Sequence, residues 1–357
     1  MLNLGHSVHL IGASRGILSV QRFDKGNLSI SIVPYRSRAR DRARDLFRSE
    51  RRMMAVELKR IPVDVVHAHW NYEFGWVGVT SRLPNVLTVH DAPLTILRRM
   101  PDTYRALRTL LAFRVRRRTS NVTAVSPDLA LKWRRQMLFR GEIRVIPNIS
   151  PEFDFPRIPS TSEAKPAVVV DIADSTPLKN VRKLLEAFEG FRRREPGSEL
   201  RLIGNGLGNQ DELASWARET GLAAGVLFLG RQTREGVSRH LAASTMLCHT
   251  SLEESQGMCF LEAMSHSVPV IGGRNSGGVA WTLDDGRGGL LVDVEDSEDI
   301  LRGMLELQND PKRRATFIER GHELVAERYS ARAVASAYVL SYEQAIADLK
   351  RRQGLST

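Results

Sequence analysis

The sequence predicts an α/β protein built from two doubly wound, Rossmann-like domains. Three observations carry this. Short apolar runs alternate with helical patterns, in two series, along 357 residues, a length that can hold two cores. Between the two series, residues 151–166 are rich in proline and small polar residues and read as a linker. Within the second series a buried-strand run, a short loop, an apolar helix and a further strand follow one another, which is one βαβ unit.

In the first domain, residues 1–150, the β runs are 6–11, 28–33, 63–68, 85–90, 122–125 and 143–146. Alternation with helices implies a parallel sheet covered on both faces. In the second domain, 167–330, the runs are 168–172, 200–203, 226–229, 246–249, 268–271 and 289–292. The tail, 331–357, is one long helical pattern. There is no internal repeat and no low-complexity tract.

The βαβ unit carries the chemistry. The strand run 244–252 leads into a loop holding Glu254; a helix over about 258–267 and a strand over 268–272 follow. Glu262 is separated from Glu254 by seven residues, just over two helical turns on and roughly on the same face. In an open parallel sheet, ligands bind where strands end and helices begin. Gly257 lets backbone approach a ligand, and the free N–H groups of a helix start suit anionic oxygens. A carboxylate beside them suits sugar hydroxyls, which offer donors.

This stretch resembles the Glu-x7-Glu motif of the retaining GT-B glycosyltransferases of glycosyltransferase family 4 (group 1). Further segments resemble the family in order: Gly5 to Leu10, Asp64 to His69, Asn85 to Asp91, Asn121 to Ser126, Ile143 to Asn148, Lys179-Asn180, Leu202 to Gly206, and Phe228 to Gly230. The resemblance spans nearly the whole chain. It implies two Rossmann-like domains facing a cleft, with an acceptor domain first, a nucleotide-sugar donor domain second, and the tail helix crossing back to the first domain.

By this resemblance Glu254 faces the donor sugar, and the backbone of Gly257, Met258, Cys259 and Phe260 meets sugar hydroxyls and phosphate. Glu262 binds the ribose, and Lys179 holds the diphosphate and helps it leave. Gly204 lies in the turn near the nucleotide, and Arg231 is a further candidate for the donor. His90 stands near the reacting sugar; His69 and Trp70 are candidates for the acceptor. Ser126 and Asn148 read as structural or hinge residues. The expected reaction is retaining transfer of a hexose-type sugar from a nucleoside diphosphate to a glycan or lipid-linked acceptor, in surface polysaccharide synthesis. No cofactor and no metal is implied: the nucleotide sugar is a substrate, and Lys179 with the helix start takes the leaving charge. The alternative is a catalytically inactive GT-B scaffold that binds a partner.

The sequence departs from the family in three places. Asp174 and Ala173 stand where the family often has an arginine, and Trp281 where it usually has glutamate. By the resemblance Met1 falls within the first helix, so the first strand and its glycine-rich loop are expected to be missing. A start placed too late in a longer reading frame, or an inactive chain, would each account for that.

Hydrophobic content of 42% and charged content of 26% fit a soluble globular class. No apolar run reaches the roughly 18 residues that span a bilayer, and the first residues lack a signal-peptide pattern. Cys248 and Cys259 read as reduced core thiols, so a cytoplasmic location is expected. The net charge of +11 is concentrated in the first 120 residues. Over 98–118, Tyr104, Leu107, Leu111 and Val115 recur at helical spacing among arginines. That pattern fits a solvated face over a core, or docking of a peripheral protein on an anionic membrane at its inner face. Nucleic acid is a third reading, unsupported by any RNA-binding strand or zinc-finger spacing.

Overall fold

In a computed structural model, residues 1–151 and 166–354 are described. The linker expected at 151–166 lies almost wholly outside them. The chain forms two units, Met1–Ile146 with Ala335–Thr357, and Pro147–Val334.

The first unit contains β1 (Val8–Ser14), β2 (Gln21–Lys25), β3 (Leu28–Pro34), β4 (Val66–His69), β5 (Asn85–Val89), β6 (Val122–Ala124) and β7 (Ile143–Val145). The single parallel sheet expected here is in fact two sheets. One has the order β1-β3-β2 and the other β4-β5-β6-β7, so β1 and β4 are both sheet edges. The second sheet is parallel throughout, but β2 runs antiparallel to β3. Strand β2 was not expected, because four of its five residues are polar and all are exposed. Its signal was the two-residue Gly26-Asn27 turn into β3, with Gly26 at φ 56°, a hairpin pattern.

The four-stranded sheet buries Ala68, Leu87, Val89, Val122 and Ala124 against Leu111, Val115, Leu129 and Trp133. The tail forms the helix Ala331–Arg352. Its Tyr338 hydroxyl lies 3.1 Å from Thr88 Oγ1, and its Tyr342 hydroxyl 2.8 Å from His67 Nδ1.

The apolar stripe of the arginine-rich helix packs as in the reading of a solvated face over a core. In Thr103–Arg116, Leu111 and Val115 are 0% exposed, and Tyr104 and Leu107 are half-buried, so the apolar stripe faces the core. Several arginines also serve the core, as stacking partners of aromatic rings. Arg108 lies 3.7 Å from the Tyr72 ring centroid, Arg42 4.5 Å from Tyr35, and Arg51 and Arg118 5.0 and 4.8 Å from Trp76. Arg36 grips the fully buried Glu50 with two bonds of 2.7 Å and reaches Asp45 at 2.8 Å. Burial alone would push the Glu50 carboxyl up, but the Arg36 bonds outweigh it and hold the group below its ordinary value.

The second unit contains β8 (Val168–Ile172), β9 (Glu199–Ile203), β10 (Val226–Gly230), β11 (Met246–Cys248), β12 (Val270–Gly273) and β13 (Leu290–Val292). All pair in parallel, in the order β10-β9-β8-β11-β12-β13. This is the doubly wound order, and its switch point lies between β8 and β11. One core, around Phe188, Phe191, Leu200 and Met304, covers one face; a second, around Phe260, Leu261, Val270 and Tyr329, covers the other. Strand β11 is shorter than the apolar run 244–252 suggested. His249 N–H still donates to the Ile271 carbonyl of β12 at 3.0 Å, and further on the chain bonds to a neighbouring loop, with Leu252 N–H donating to the Leu178 carbonyl at 2.8 Å. Among the described residues, no helix is long and apolar enough to cross a membrane.

Removing Arg36 strands a buried carboxylate. Arg36→Ala is expected to destabilise the first unit by about 3–5 kcal/mol, the scale of a broken buried ion pair. Urea unfolding followed by tryptophan fluorescence measures this. A midpoint equal to the wild type would show that Glu50 is not held by this pair.

Candidate functional site

In the second unit the site forms where β8 and β11 end, at the switch point. After β8 the chain makes an Asp174 turn, in which Thr176 N–H donates to Asp174 Oδ1 at 2.9 Å. A short 3-10 turn, Pro177–Lys179, follows, and Asn180 enters the next helix at φ 55°. That turn presents the Lys179 side chain, which is 21% exposed. After β11 the loop carries Glu254, whose backbone is clamped by the Asn275-Ser276-Gly277-Gly278 turn. Glu254 N–H donates to the Ser276 carbonyl at 3.3 Å, and the Glu254 carbonyl accepts from Gly278 N–H at 2.8 Å.

Lys179 Nζ pairs with Glu254 Oε1. His249 Nε2 also meets Glu254 Oε1, at 3.0 Å, and His249 Nδ1 meets Asp171 Oδ1 at 2.7 Å. Asp171 and His249 are 0% and 2% exposed. Burial would raise the pKa of Glu254, but the bond from His249 and the charge of Lys179 hold it down at about 2. Burial would lower that of Lys179, but Glu254 raises it. At His249, burial is likewise outweighed by the charge and hydrogen bond of Asp171, which help to raise it well above the ordinary range.

Gly257 starts the helix Met258–Ser265 at φ 83°, and a Cβ there would lie 2.6 Å from the Phe260 ring. Only glycine fits both conditions, so the loop can turn sharply into a helix whose first N–H groups, those of Met258 and Cys259, have no helical acceptor, while Phe260 N–H turns back to the Gly257 carbonyl at 3.2 Å. Met258 is half-buried, and Cys259 and Phe260 are buried. Cys248 and Cys259 are both free thiols. Gln256, 1% exposed, accepts from Asn148 N–H at 2.7 Å, so Asn148 is a structural anchor of this loop. Glu262 is half-buried on the same helix; burial raises its pKa and the nearby charge of Arg234 partly offsets that.

Gly204 packs its turn against the loop after β8: a Cβ would lie 1.6 Å from the Ala173 carbonyl oxygen. Arg231 is exposed and makes no hydrogen bond or ion pair among the described residues, whereas Arg234 is the arginine that senses Glu262. Trp281 packs edge-on to Tyr329 at 6.1 Å and under Arg328 at 5.2 Å, a structural position. Among the described residues no group of three or more His, Cys, Asp or Glu is placed to hold a metal ion.

In the first unit His69, Trp70 and His90 come together. His69 ends β4, His90 follows β5, and their Nδ1 and Nε2 atoms are 2.8 Å apart. The Trp70 ring lies 5.1 Å from that of His90. Trp70 takes φ 71°, uncommon for a bulky side chain and a sign of imposed geometry. Behind them His67 Nε2 lies 2.6 Å from Thr88 Oγ1. Burial pushes His67 well below the ordinary value, and burial with the His69 charge takes His90 to about 4. Ser126 caps the helix Pro127–Gln136 by accepting from Leu129 N–H at 3.3 Å, a structural role.

Sequence reasoning missed Asp171, His249, His67 and Arg234. The signal for the first two was a lone ionisable residue at the end of each of two buried strands, which requires a partner.

Two family sequence models match, Glycosyltransferase Family 4 over residues 1–149 and Glycosyl transferases group 1 over 153–324. The chain belongs to this family of group 1, family 4 glycosyltransferases. It is 31% identical over 234 residues to the lipopolysaccharide core biosynthesis glycosyltransferase LpsE of Rhizobium meliloti, covering 62% of this chain and 64% of that protein. It therefore spans less than two thirds of that relative. Over 310 residues it is 26% identical to the N-acetyl-alpha-D-glucosaminyl L-malate synthase of Bacillus anthracis, covering 83% of this chain and 79% of that one. In structure it resembles the sucrose-phosphate synthase of Thermosynechococcus elongatus, with a TM-score of 0.78 at 19% identity, over 97% and 91% of the two chains. It also resembles Anabaena HepE, solved with UDP and glucose, with a TM-score of 0.69 at 20% identity, over 88% and 86%. The fold is GT-B, as expected.

The depressed values of His67 and His90 have a direct consequence for stability. Below about pH 6.5 the unfolded rings protonate while the folded rings stay neutral, so unfolding takes up protons. Stability of the sheet holding β4 and β5 is present above pH 6.5 and is expected to fall as pH drops toward about 4. Hydrogen exchange of Val66–His69 and Asn85–Val89, corrected for intrinsic rates, measures it. The doubly substituted His67→Asn, His90→Asn chain is expected to show a flatter profile over that window; a slope equal to the wild type would refute the assignment.

Proposed function

We propose that the chain is a retaining, metal-independent glycosyltransferase. It moves a hexose-type sugar from a nucleoside diphosphate to a hydroxyl of a glycan or lipid-linked acceptor, in surface polysaccharide synthesis. The observation that carries this is the buried Glu254 carboxylate, kept ionised beside Lys179 and the Gly257 helix start, with Glu262 on the same helix. Glu254 accepts from a donor-sugar hydroxyl. The N–H groups of Met258 and Cys259 and the Lys179 ammonium take the diphosphate charge as the bond to the sugar breaks. Glu262 accepts from the ribose hydroxyls, with Arg234 beside it. The leaving diphosphate helps to deprotonate the acceptor on the same face, while neutral His90, with His69 and Trp70, orients reacting hydroxyls. The similarity to LpsE, of lipopolysaccharide core biosynthesis, and to HepE, solved with UDP and glucose, supports this choice of substrates.

The reading of an inactive scaffold draws on one observation: Asp174 is engaged in its own turn where a second phosphate-binding cation is expected, leaving the diphosphate to Lys179. Assays with UDP- and GDP-sugars separate the two readings, since a scaffold gives neither transfer nor hydrolysis. Turnover is expected to persist in EDTA; its loss there and return with magnesium would end the metal-free reading. By calorimetry, Glu262→Ala is expected to weaken nucleoside diphosphate binding by about 1.5–3 kcal/mol, the scale of charged hydrogen bonds. Glu254→Ala is expected to reduce turnover far more than affinity. Equal affinities of Glu262→Ala and wild type would remove the ribose assignment.

We also propose that the first unit docks on anionic membranes by charge, without insertion of its buried stripe. Arg98, Arg99, Arg114 and Arg117 are exposed, and each contributes on the order of 1 kcal/mol near an anionic surface. Changing these four to glutamine is expected to release the protein from phosphatidylserine vesicles in a cosedimentation assay. Wild type that stays in the supernatant at physiological salt would refute docking.

A further inference from the structure

The hydrogen-bond chain from Asp171 through His249 to Glu254 is absent from the motif that identified the site. Asp171 is the fourth residue of β8 and His249 follows β11, so the pair bridges the two central strands at the switch point. Carboxylates only accept, so the geometry calls for a donor at each ring nitrogen: Nδ1–H to Asp171 and Nε2–H to Glu254. A histidine with two N–H groups is an imidazolium. Two carboxylates, Asp171 and Glu254, then balance two cations, His249 and Lys179, and this buried group is electrically neutral. The other ionisable groups facing the ring are the Cys259 and Cys248 thiols, both buried in apolar surroundings that keep them protonated. The Phe260 ring closes the edge, with its centroid 5.5 Å away at 82°.

A second feature gives the chain a purpose. Both bonds to Glu254, from Lys179 and from His249, fall on Oε1, and neither occupies Oε2. Lys179 is the cation assigned to the donor's diphosphate, and binding there draws it off Glu254. A carboxylate whose side chain is 13% exposed would then have lost its ammonium partner. Without a second cation it would take up a proton or rotate. His249 stays, because Asp171 holds its other side and neither residue can reach solvent.

We propose that Asp171 and His249 are a positioning pair: they hold Glu254 as an oriented carboxylate, with Oε2 presented to the sugar, while Lys179 is engaged by the diphosphate. This inference rests on the reading of Glu254 as the carboxylate that meets the donor sugar. Neither residue touches substrate.

The test has a structural and a kinetic arm. Nitrogen-15 NMR of the full chain labelled at histidine is expected to show the His249 ring protonated at both nitrogens at pH 8. In Glu254→Gln and in Asp171→Asn its titration is expected to move down toward neutrality. A ring neutral at pH 7 in the wild type overturns the proposal, whether or not the chain transfers sugar. In the kinetic arm, His249→Asn and the isosteric Asp171→Asn are expected to lower kcat on the order of 10- to 100-fold, the scale of one charged hydrogen bond. The donor KM is expected to stay within about twofold, since ground-state nucleotide contacts are untouched. The acid limb of the kcat profile is expected to shift upward in Asp171→Asn, a change that mere loss of packing does not produce. Folded variants, checked by circular dichroism, with wild-type kcat and profile overturn the pair. A doubly protonated ring in a chain without transferase activity overturns the proposed function instead and leaves the pair standing.

Discussion

The second unit is organised around the problem of keeping one carboxylate charged where water is scarce. Glu254 sits at the end of a buried parallel strand, a place where an unpartnered charge is costly. The fold solves this by alternation: Asp171, His249, Glu254 and Lys179 stand in a row of opposite signs across the ends of β8 and β11. A doubly wound sheet diverges there, which leaves room for a ligand above and places side chains of two strands within bonding distance below. The strand ends supply the charges; the loops supply only their spacing.

That spacing depends on close backbone packing more than on side-chain chemistry. The Gly204 turn abuts the loop that carries Lys179, and a methyl group in its place would overlap a carbonyl. The Gly257 turn lets Glu254 and the start of the helix Met258–Ser265 share one short loop, while Gln256 and Thr282 tie that loop down, the Thr282 hydroxyl donating to the Gln256 carbonyl at 2.7 Å. Glu262 belongs to the same rigid piece, since it rides on the helix that the loop begins. The two glutamates therefore keep a set separation, one on the loop and one on the helix that the loop begins.

Most of this architecture was legible in the sequence, because parallel strands buried on both faces leave plain apolar runs. The runs at 168–172 and 200–203 became β8 and β9 with a shift of at most one residue. What failed to show was of two kinds. Strand β2 has the composition of an exposed loop, and only its Gly26-Asn27 turn betrayed a hairpin. The Asp171–His249 bond joins residues 78 positions apart, and no local pattern encodes a partner at that distance. Arg234 was missed for a related reason: its charge reaches Glu262 from the first turn of the helix Arg234–Ala242, and nothing local in the sequence singles it out.

The excess of arginine in the first unit illustrates how composition and function separate once structure is known. A guanidinium can stack on a ring with its plane while its N–H groups bond at the rim, so it can enter a core that would reject lysine. Arg108 stacks over Tyr72, whose hydroxyl bonds the Asp91 carboxylate at 2.9 and 3.0 Å. The Asp91 carbonyl in turn accepts from Trp133 Nε1 at 3.1 Å, so the residue directly after His90 is fixed from two sides. Burial pushes Asp91 up to about 6, against the pull of Arg108. Without that arginine the carboxyl would sit deeper in the neutral range and its hold on Tyr72 would weaken. The same basic helix that looked like a surface feature thus fixes the backbone beneath His90, and part of the charge belongs to the scaffold of the candidate site.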